Sequence, residues 1–347
     1  MSTNFTTRAR WIKKYTLPTP RFNSPLELMR SGPVLMDMEP VWHGYFADPF
    51  ILNLQGEYYA YGTSMPAKNE RGSLNHFPVL HSYDLFHWRQ VGWALESEHP
   101  ASFWAPEVIL HEGQFFMYYS EGGPEGEGQQ LRAAIASSPT GPFLPHPELL
   151  IPSEPFSIDA DPHPDEQILF FAKDFLDIDR PGTGIAAIRL RPDLLSAIGE
   201  AQPILTPSAD WQIYERDRQW YGRTWAKWHT VEGPCVVKRQ GRFWLFYSGG
   251  LWKGPDYGVG IAVADDILGP YSDPSGAEGP SILHSGHGLN GPGHNSIVVG
   301  PDGEDYICFH AWDGDYQKRQ MYIERLTWRE DGPCLAGEKK SIIQPKG

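Results

Sequence analysis

The sequence predicts an all-β fold, a five-bladed β-propeller of four-stranded antiparallel blades. Three observations lead to it. Five segments share one pattern: EYYAYGTS from Glu57, QFFMYYSEGG from Gln114, QILFFAKD from Gln167, RFWLFYSGG from Arg242 and DYICFHAW from Asp305. Each opens on a polar residue, runs through aromatic and apolar residues, and ends in small or polar ones. Gly (36) and Pro (32) are abundant among 347 residues, as many short strands and turns require. Helical patterning is scarce, with RPDLLSAIG the best stretch and a short one. Strands that are apolar on both faces need cover on both sides, and without helices only other sheets can supply it. Five equivalent sheets packed radially meet that need.

The first unit pairs PFILNL with EYYAYGTS across a Q-G turn, continues into FPVLHSYD and leaves through SYDLFHW toward an outer strand. In the second, PEVILH and QFFMYYSEGG meet at E-G, followed by LRAAIASS and the turn SSPTGPF. The third has a weaker first strand, DPHPDE, and no glycine in its turn; GIAAIRLR and RPDLLS follow QILFFAKD. The fourth reads PCVVKR, Q-G, RFWLFYSGG, VGIAVADD and DDILGPY, and the fifth NSIVVG, D-G, DYICFHAW, MYIERLTW and REDGP. An X-Gly pair between apolar runs is a hairpin signal. A single domain over residues 1–347 is expected. Residues 1–35 read as an N-terminal extension that closes the ring or wraps its outside. Residues 207–230, aromatic and charged, read as a long loop inserted on one face.

A net charge of −14 argues against nucleic acid or an anionic membrane as partner. Hydrophobic content of 40% with 21% charged residues suits a packed soluble core. The N-terminal MSTNFTTRARWIKKYTLPTP is basic but lacks the apolar stretch of a secretory signal. No apolar run reaches the roughly 18 residues a membrane span needs. Cys235, Cys308 and Cys334 are odd in number and lack metal-site spacing. They read as reduced thiols, which makes a cytoplasmic location the expectation.

In a propeller the first strand of each blade starts near the axis, so residues at those starts converge. They are FADPF with Asp48, WAPEV with Glu107, SIDADP with Asp159 and Asp161, VEGPC with Glu232, and PGHNS with His294. Four units bring carboxylates and the fifth a histidine. Clustered like charges raise one another's pKa and cost stability, so the set points to a function. A zinc centre would need paired His or Cys ligands, which are missing. Glycoside hydrolysis fits better, because one carboxyl protonates the leaving oxygen while another activates water or attacks carbon. The abundance of Trp (13) and Tyr (16) suits sugar rings, which stack on aromatic faces, although most of the tryptophans belong to core packing.

FADPFI, FWAPEVIL with GQFFMYYS, SIDADPHPDE, VEGPCVVKRQGRFWLFYSGG and GHNSIVVGPDG, in this order, resemble glycoside hydrolase family 43, whose members act on arabinose- and xylose-containing glycans. The resemblance implies an inverting hydrolase with Asp48 as general base, Glu232 as general acid and Asp159 as the third acid that tunes and orients Glu232; Asp161 is the rival for that role. An inverting pair stands roughly 6.5–9.5 Å apart. The resemblance also implies a cation, such as calcium, near His294, with His287 a lesser rival. Arg319 would bind a sugar hydroxyl or form a surface ion pair. Trp104 would be an aromatic wall, Phe46 and Phe50 dry walls beside Asp48, and Glu107 structural or substrate-contacting. The expected substrates are small glycans with terminal α-L-arabinofuranosyl or β-D-xylosyl residues. Alternatives are a β-galactofuranosidase on the same fold and a non-catalytic carbohydrate-binding propeller. A fructan-type enzyme would carry an NDPNG-type motif where this chain has FADPF.

Overall fold

The computed structural model describes residues 38–124, 126–273 and 276–336. The extension expected over residues 1–35 lies outside the described residues. Among those described, a 3₁₀ turn at Asp210–Gln212 is the only helical segment, and RPDLLSAIG is a turn running into a strand.

Five antiparallel meanders follow one another. Unit one is Ala47–Leu54, Glu57–Thr63, Leu74–Ser82 and Arg89–Ser97, with the short Ala67–Lys68 also paired to its third strand. Unit two is Ser102–His111, Gln114–Gly122, Gln130–Ala136 and Leu144–Pro145. Unit three is Ile158–His163, Ile168–Phe175, Gly182–Leu190 and Ala197–Leu205. Unit four joins the second half of Arg223–Arg239 to Arg242–Gly249 and Gly258–Ala264, and a bridge from Val263 to Ser272 stands where a fourth strand would be. Unit five is Asn290–Val299, Asp305–Trp312, Arg319–Arg329 and Gly332–Leu335. Units three and four merge into one eight-stranded sheet, because Gly182 and Thr183 pair in parallel with His229 and Thr230.

The turns behave as their residues require. Gln55–Gly56, Glu112–Gly113 and Gln240–Gly241 take positive φ at both positions, the mirror-image turn that matches strand twist. Unit three lacks the glycine, and Gln167 takes the left-handed conformation instead. Residues 207–230 differ from the loop expected there. Ile213–Trp220 pairs with Arg223–His229 as a β-hairpin whose turn is Tyr221–Gly222, again with both φ positive. The physical reason is the same X-Gly turn signal between alternating arms.

Side-chain alternation sorts each unit's apolar residues onto two faces. Phe115, Met117 and Tyr119 pack with Tyr61, Phe77 and Val79 of unit one, whereas Phe116 and Tyr118 pack with Leu169, Phe171 and Ala186 of unit three. Phe170 and Ile185 meet Val236, Leu245 and Tyr247 of unit four. Phe246 and Val259 meet Ile307 and Phe309 of unit five. Cys308, Met321 and Ile323 return to Phe46, Ile51 and Tyr58 of unit one. Five apolar clusters thus fill five successive sheet-to-sheet contacts. The first strands likewise pack in a closed cycle, one on two, two on three, three on four, four on five, and five on one. Cys235, Cys308 and Cys334 are all buried and unpaired.

Candidate active site

Every first strand carries the same irregularity. Its register with the second strand slips between Ala47 and Phe50, Trp104 and Glu107, Ile158 and Asp161, Glu232 and Cys235, and Gly293 and Ser296. Each slip holds one residue with positive φ: Asp48, Ala105, Asp159, Gly233 and His294. Bulges re-aim side chains, and Asp and His accept the left-handed conformation better than most residues. The five positions expected to be equivalent therefore are not. Asp48, Asp159 and His294 sit on the left-handed residue, Glu232 one residue before it, and Glu107 and Asp161 two residues after.

Each left-handed amide is tied across to a neighbouring unit. The N–H of Ala105 donates to Thr63 Oγ1 (2.8 Å), that of Asp159 to Ser120 Oγ (3.2 Å), that of His294 to Ser248 Oγ (2.7 Å), and that of Asp48 to His310 Nδ1 (3.1 Å). Thr63, Ser120, Ser248 and His310 hold one equivalent place on the second strands, paired with Ala47, Trp104, Glu232 and Gly293. Unit three has Ala172 at that place, opposite Ile158. The Gly233 N–H donates instead to Asp159 Oδ2 at 3.0 Å. One carboxylate thus fills the gap in the hydrogen-bond ring.

Opposing forces set the charges. Burial pushes the Asp48 carboxyl up, but Arg319, His294 and His310 outweigh it and hold Asp48 far below the usual carboxylate range. Arg319 Nη1 donates to Asp48 Oδ1 at 3.1 Å, and His294 Nδ1 lies 3.5 Å from the same oxygen. Burial keeps both imidazoles below their ordinary pKa, so the lasting counter-charge of Asp48 is the guanidinium. Glu232 is displaced the other way. Burial raises it, the Tyr257 hydroxyl donating to Oε1 at 2.8 Å partly offsets this, and the Asp48 charge adds to the rise, giving about 7. Asp159 is pushed up by burial and by Glu232 and Asp48. Glu107 is raised by burial, Asp161 and Asp159.

Asp48, Asp159, Glu232, His294, Arg319 and Trp104 line one cavity of about 490 Å³. An ionised carboxylate and a protonated one facing a common cavity can hold a water for attack and supply a proton on the other side. Asp161 is committed elsewhere, accepting from the Val236 N–H at 2.8 Å and lying 3.2 Å from His163 Nε2. Phe46, expected as a wall, is a core residue: its ring fills the slot left by the missing side chain of Gly62, where a Cβ would come within 2.6 Å. Glu107 is not among the residues that line the cavity. His287 is exposed. Arg319 is no surface ion pair, since it lies under Trp252 with its Nε donating to the Tyr45 hydroxyl at 3.1 Å. Among the described residues no group of three His, Cys, Asp or Glu side chains could hold a metal ion. His294 Nδ1 lies 3.5 Å from Asp48 Oδ1 and 4.0 Å from Asp159 Oδ2, whereas calcium takes about six to eight oxygens.

Tyr45, Thr63, Trp252, Tyr257 and His310 complete the surroundings and were not anticipated. His310 was readable in principle, because it stands seven residues after Gly303, as Thr63, Ser120 and Ser248 stand seven after the turn glycines Gly56, Gly113 and Gly241. Trp252 and Tyr257 follow the fourth aromatic strand in an irregular stretch and carry no spacing signal.

The model of glycosyl hydrolases family 43 matches residues 38–334. A β-D-galactofuranosidase from Aspergillus niger is 26% identical over 333 residues, spanning 85% of this chain and 83% of its own length. An extracellular exo-α-(1→5)-L-arabinofuranosidase from Streptomyces avermitilis is 23% identical, over 82% of this chain and 60% of its own. The crystal structure of a thermostable family-43 glycoside hydrolase superposes with a TM-score of 0.73 at 30% identity, covering 88% of this chain and 97% of that one. An endo-1,4-β-xylanase from Bacteroides thetaiotaomicron gives 0.69 at 28% identity, covering 87% and 97%.

Proposed function

The chain belongs to glycosyl hydrolases family 43 and is a glycoside hydrolase; from this premise we propose a five-bladed β-propeller enzyme that releases terminal α-L-arabinofuranosyl or β-D-xylosyl residues from oligosaccharides with inversion. The single observation that carries the reading is the opposite displacement of two carboxyls on one cavity, Asp48 down and Glu232 up to about 7. The closed cycle of first strands and the five interfacial clusters support the propeller.

In this mechanism a water held by Asp48 attacks the anomeric carbon, and Asp48 accepts its proton. The glycosidic C–O bond breaks on the opposite face, and Glu232 gives its proton to the departing oxygen. Asp159, at the Gly233 amide next to Glu232, holds that backbone in place and acts as the third acid. Arg319 keeps Asp48 ionised and presents its remaining N–H groups to sugar hydroxyls.

A second reading, β-D-galactofuranoside hydrolysis, is favoured by the Aspergillus niger relative. The test is a panel of 4-nitrophenyl α-L-arabinofuranoside, β-D-xyloside and β-D-galactofuranoside, with the anomer of the first product followed by NMR. Hydrolysis of one pentoside with inverted product is expected, falling above about pH 7 as Glu232 loses its proton. Asp48→Asn and Glu232→Gln should each lose about 10²–10⁴-fold. Retained configuration, or full activity in Asp48→Asn, would overturn the mechanism.

A further inference from the structure

A second cavity, of about 320 Å³, adjoins the first. The two share Trp104, Ile158, Glu232 and Trp252, but Asp48, Asp159 and Arg319 line only the first. Glu232 thus stands between a chamber that it shares with Asp48 and Asp159 and one, lined also by Asp174 and Glu127, that lacks both.

The outer wall of the second chamber is the hairpin of residues 213–229. Tyr214, Arg218 and Trp220 line it from one arm and Trp228 from the other. The Arg218 guanidinium is caged by the rings of Tyr214, Trp220 and Trp228 at 4.8, 5.0 and 5.2 Å. The hairpin is fixed at both ends. Its tip is tied to unit three, where Asp174 accepts from the Tyr221 hydroxyl at 2.9 Å and Trp220 Nε1 at 3.3 Å. Its second arm is the start of Arg223–Arg239, the same strand that carries Glu232. Trp228 is buried four residues ahead of that glutamate.

We propose that this hairpin chamber is the leaving-group subsite and that it takes a neutral sugar ring. The inference rests on the reading of Glu232 as general acid. A group departing from the protonating side must lie beyond Glu232 and away from Asp48, and the second chamber is the cavity that satisfies both conditions. Aromatic faces offer stacking to the C–H face of a sugar. The immobilised guanidinium and the Asp174 carboxyl offer donors and acceptors to hydroxyls. Among the described residues Arg218 is the only cationic side chain lining the chamber, beside the acids Asp174, Glu127 and Glu232, which disfavours an anionic aglycone. Trp220 and Arg218 would then act on leaving-group choice, and binding energy realised there lowers the barrier for substrates that fill the chamber.

The test compares two leaving groups on one glycone: xylobiose against β-D-xylosyl fluoride, and (1→5)-arabinobiose against α-L-arabinofuranosyl fluoride. Fluoride is a single atom and needs no protonation, so it cannot use the chamber. The ratio of kcat/KM for disaccharide over fluoride should fall at least about tenfold in Trp220→Ala and Arg218→Ala. Gln219→Ala, on the exposed side of the hairpin, should keep the parent ratio. A ratio unchanged in both chamber variants overturns the inference, as does an equal loss on both substrates in all three. A parent enzyme inert toward all four substrates would instead remove the pentoside reading of the proposed function, and the subsite argued from it.

Discussion

Units one and four reach the cavity through the same bulge, yet they deliver carboxyls in opposite states. In unit one the acid occupies the left-handed residue, Asp48, where Arg319 meets it at 3.1 Å. In unit four glycine occupies that residue and the acid sits one position earlier, with a tyrosine hydroxyl as its hydrogen-bond partner. Burial acts on both. What separates them is contact: one has the Arg319 cation at hydrogen-bond distance, whereas the other has a neutral donor and feels Arg319 more weakly than it feels the Asp48 charge. A repeated backbone device supplies position, and departures from the repeat supply chemistry.

The largest effect should come from removing the cation. Arg319→Met leaves Asp48 buried without its counter-charge, so its pKa should rise and the contrast with Glu232 should collapse. At neutral pH kcat/KM should fall by about 10²-fold or more, and a new acid limb should enter the pH profile. The sign for stability follows from the depressed pKa of the parent. That contribution is present above the unfolded value of about 3.9 and is lost as pH falls through the folded one. The gap in thermal stability between parent and variant should therefore be widest at neutral pH and shrink in acid. A parent-like pH profile in Arg319→Met would show that the cation does not set the state of Asp48.

A smaller and more selective effect concerns what holds unit four in place. Asp159→Ala removes the acceptor of the buried Gly233 amide, and an unsatisfied buried donor costs about 1–3 kcal/mol. Asp159→Asn keeps an oxygen there and should unfold at a higher temperature than Asp159→Ala. Adding Ala172→Ser to Asp159→Ala supplies the hydroxyl that units two and four already use, and should recover part of the lost stability without recovering activity. Recovery of both would make Asp159 a purely structural residue.

How much of this was legible in the sequence follows from the same contrast. The aromatic second strands, their X-Gly turns and the acids at the first strands recur, so stacking the segments exposes the units and brings Asp48, Asp159 and Glu232 to one place. The one-residue offset of Glu232 was hidden, because periodicity cannot show where a bulge falls. The hairpin carried the same turn signal in Tyr221–Gly222, but its charged and aromatic arms resemble a rim loop when no partner strand is visible. Tyr257 belongs to the spatial neighbourhood of the acids, and linear spacing carries no record of that; Arg319 was named through the resemblance, but its contact with Asp48 was not. Phe46 looked like a wall because it stands two residues before Asp48, where a regular strand would put both on one face, but the register slip between Ala47 and Phe50 turns Asp48 away from it.

The finest test is on the tyrosine. Its hydroxyl lowers Glu232, so Tyr257→Phe should raise Glu232 above its value of about 7 and move the alkaline limb of kcat/KM upward by about half to one pH unit. The proton would then be held more tightly, so the rate at the plateau should drop modestly. Linkage gives a second readout. A carboxyl whose folded pKa is raised contributes stability that is complete below its unfolded value, about 4.3, and is lost as pH rises through the folded value. Thermal stability of the parent should therefore decline between about pH 4 and 7. In Tyr257→Phe the decline should continue to higher pH, and in Glu232→Gln this component should vanish. A downward shift of the alkaline limb in Tyr257→Phe would mean that the hydroxyl stabilises the protonated acid and not the carboxylate. The difference between units one and four would then rest on burial, the Asp48 charge and the Arg319 contact, with no part for the tyrosine.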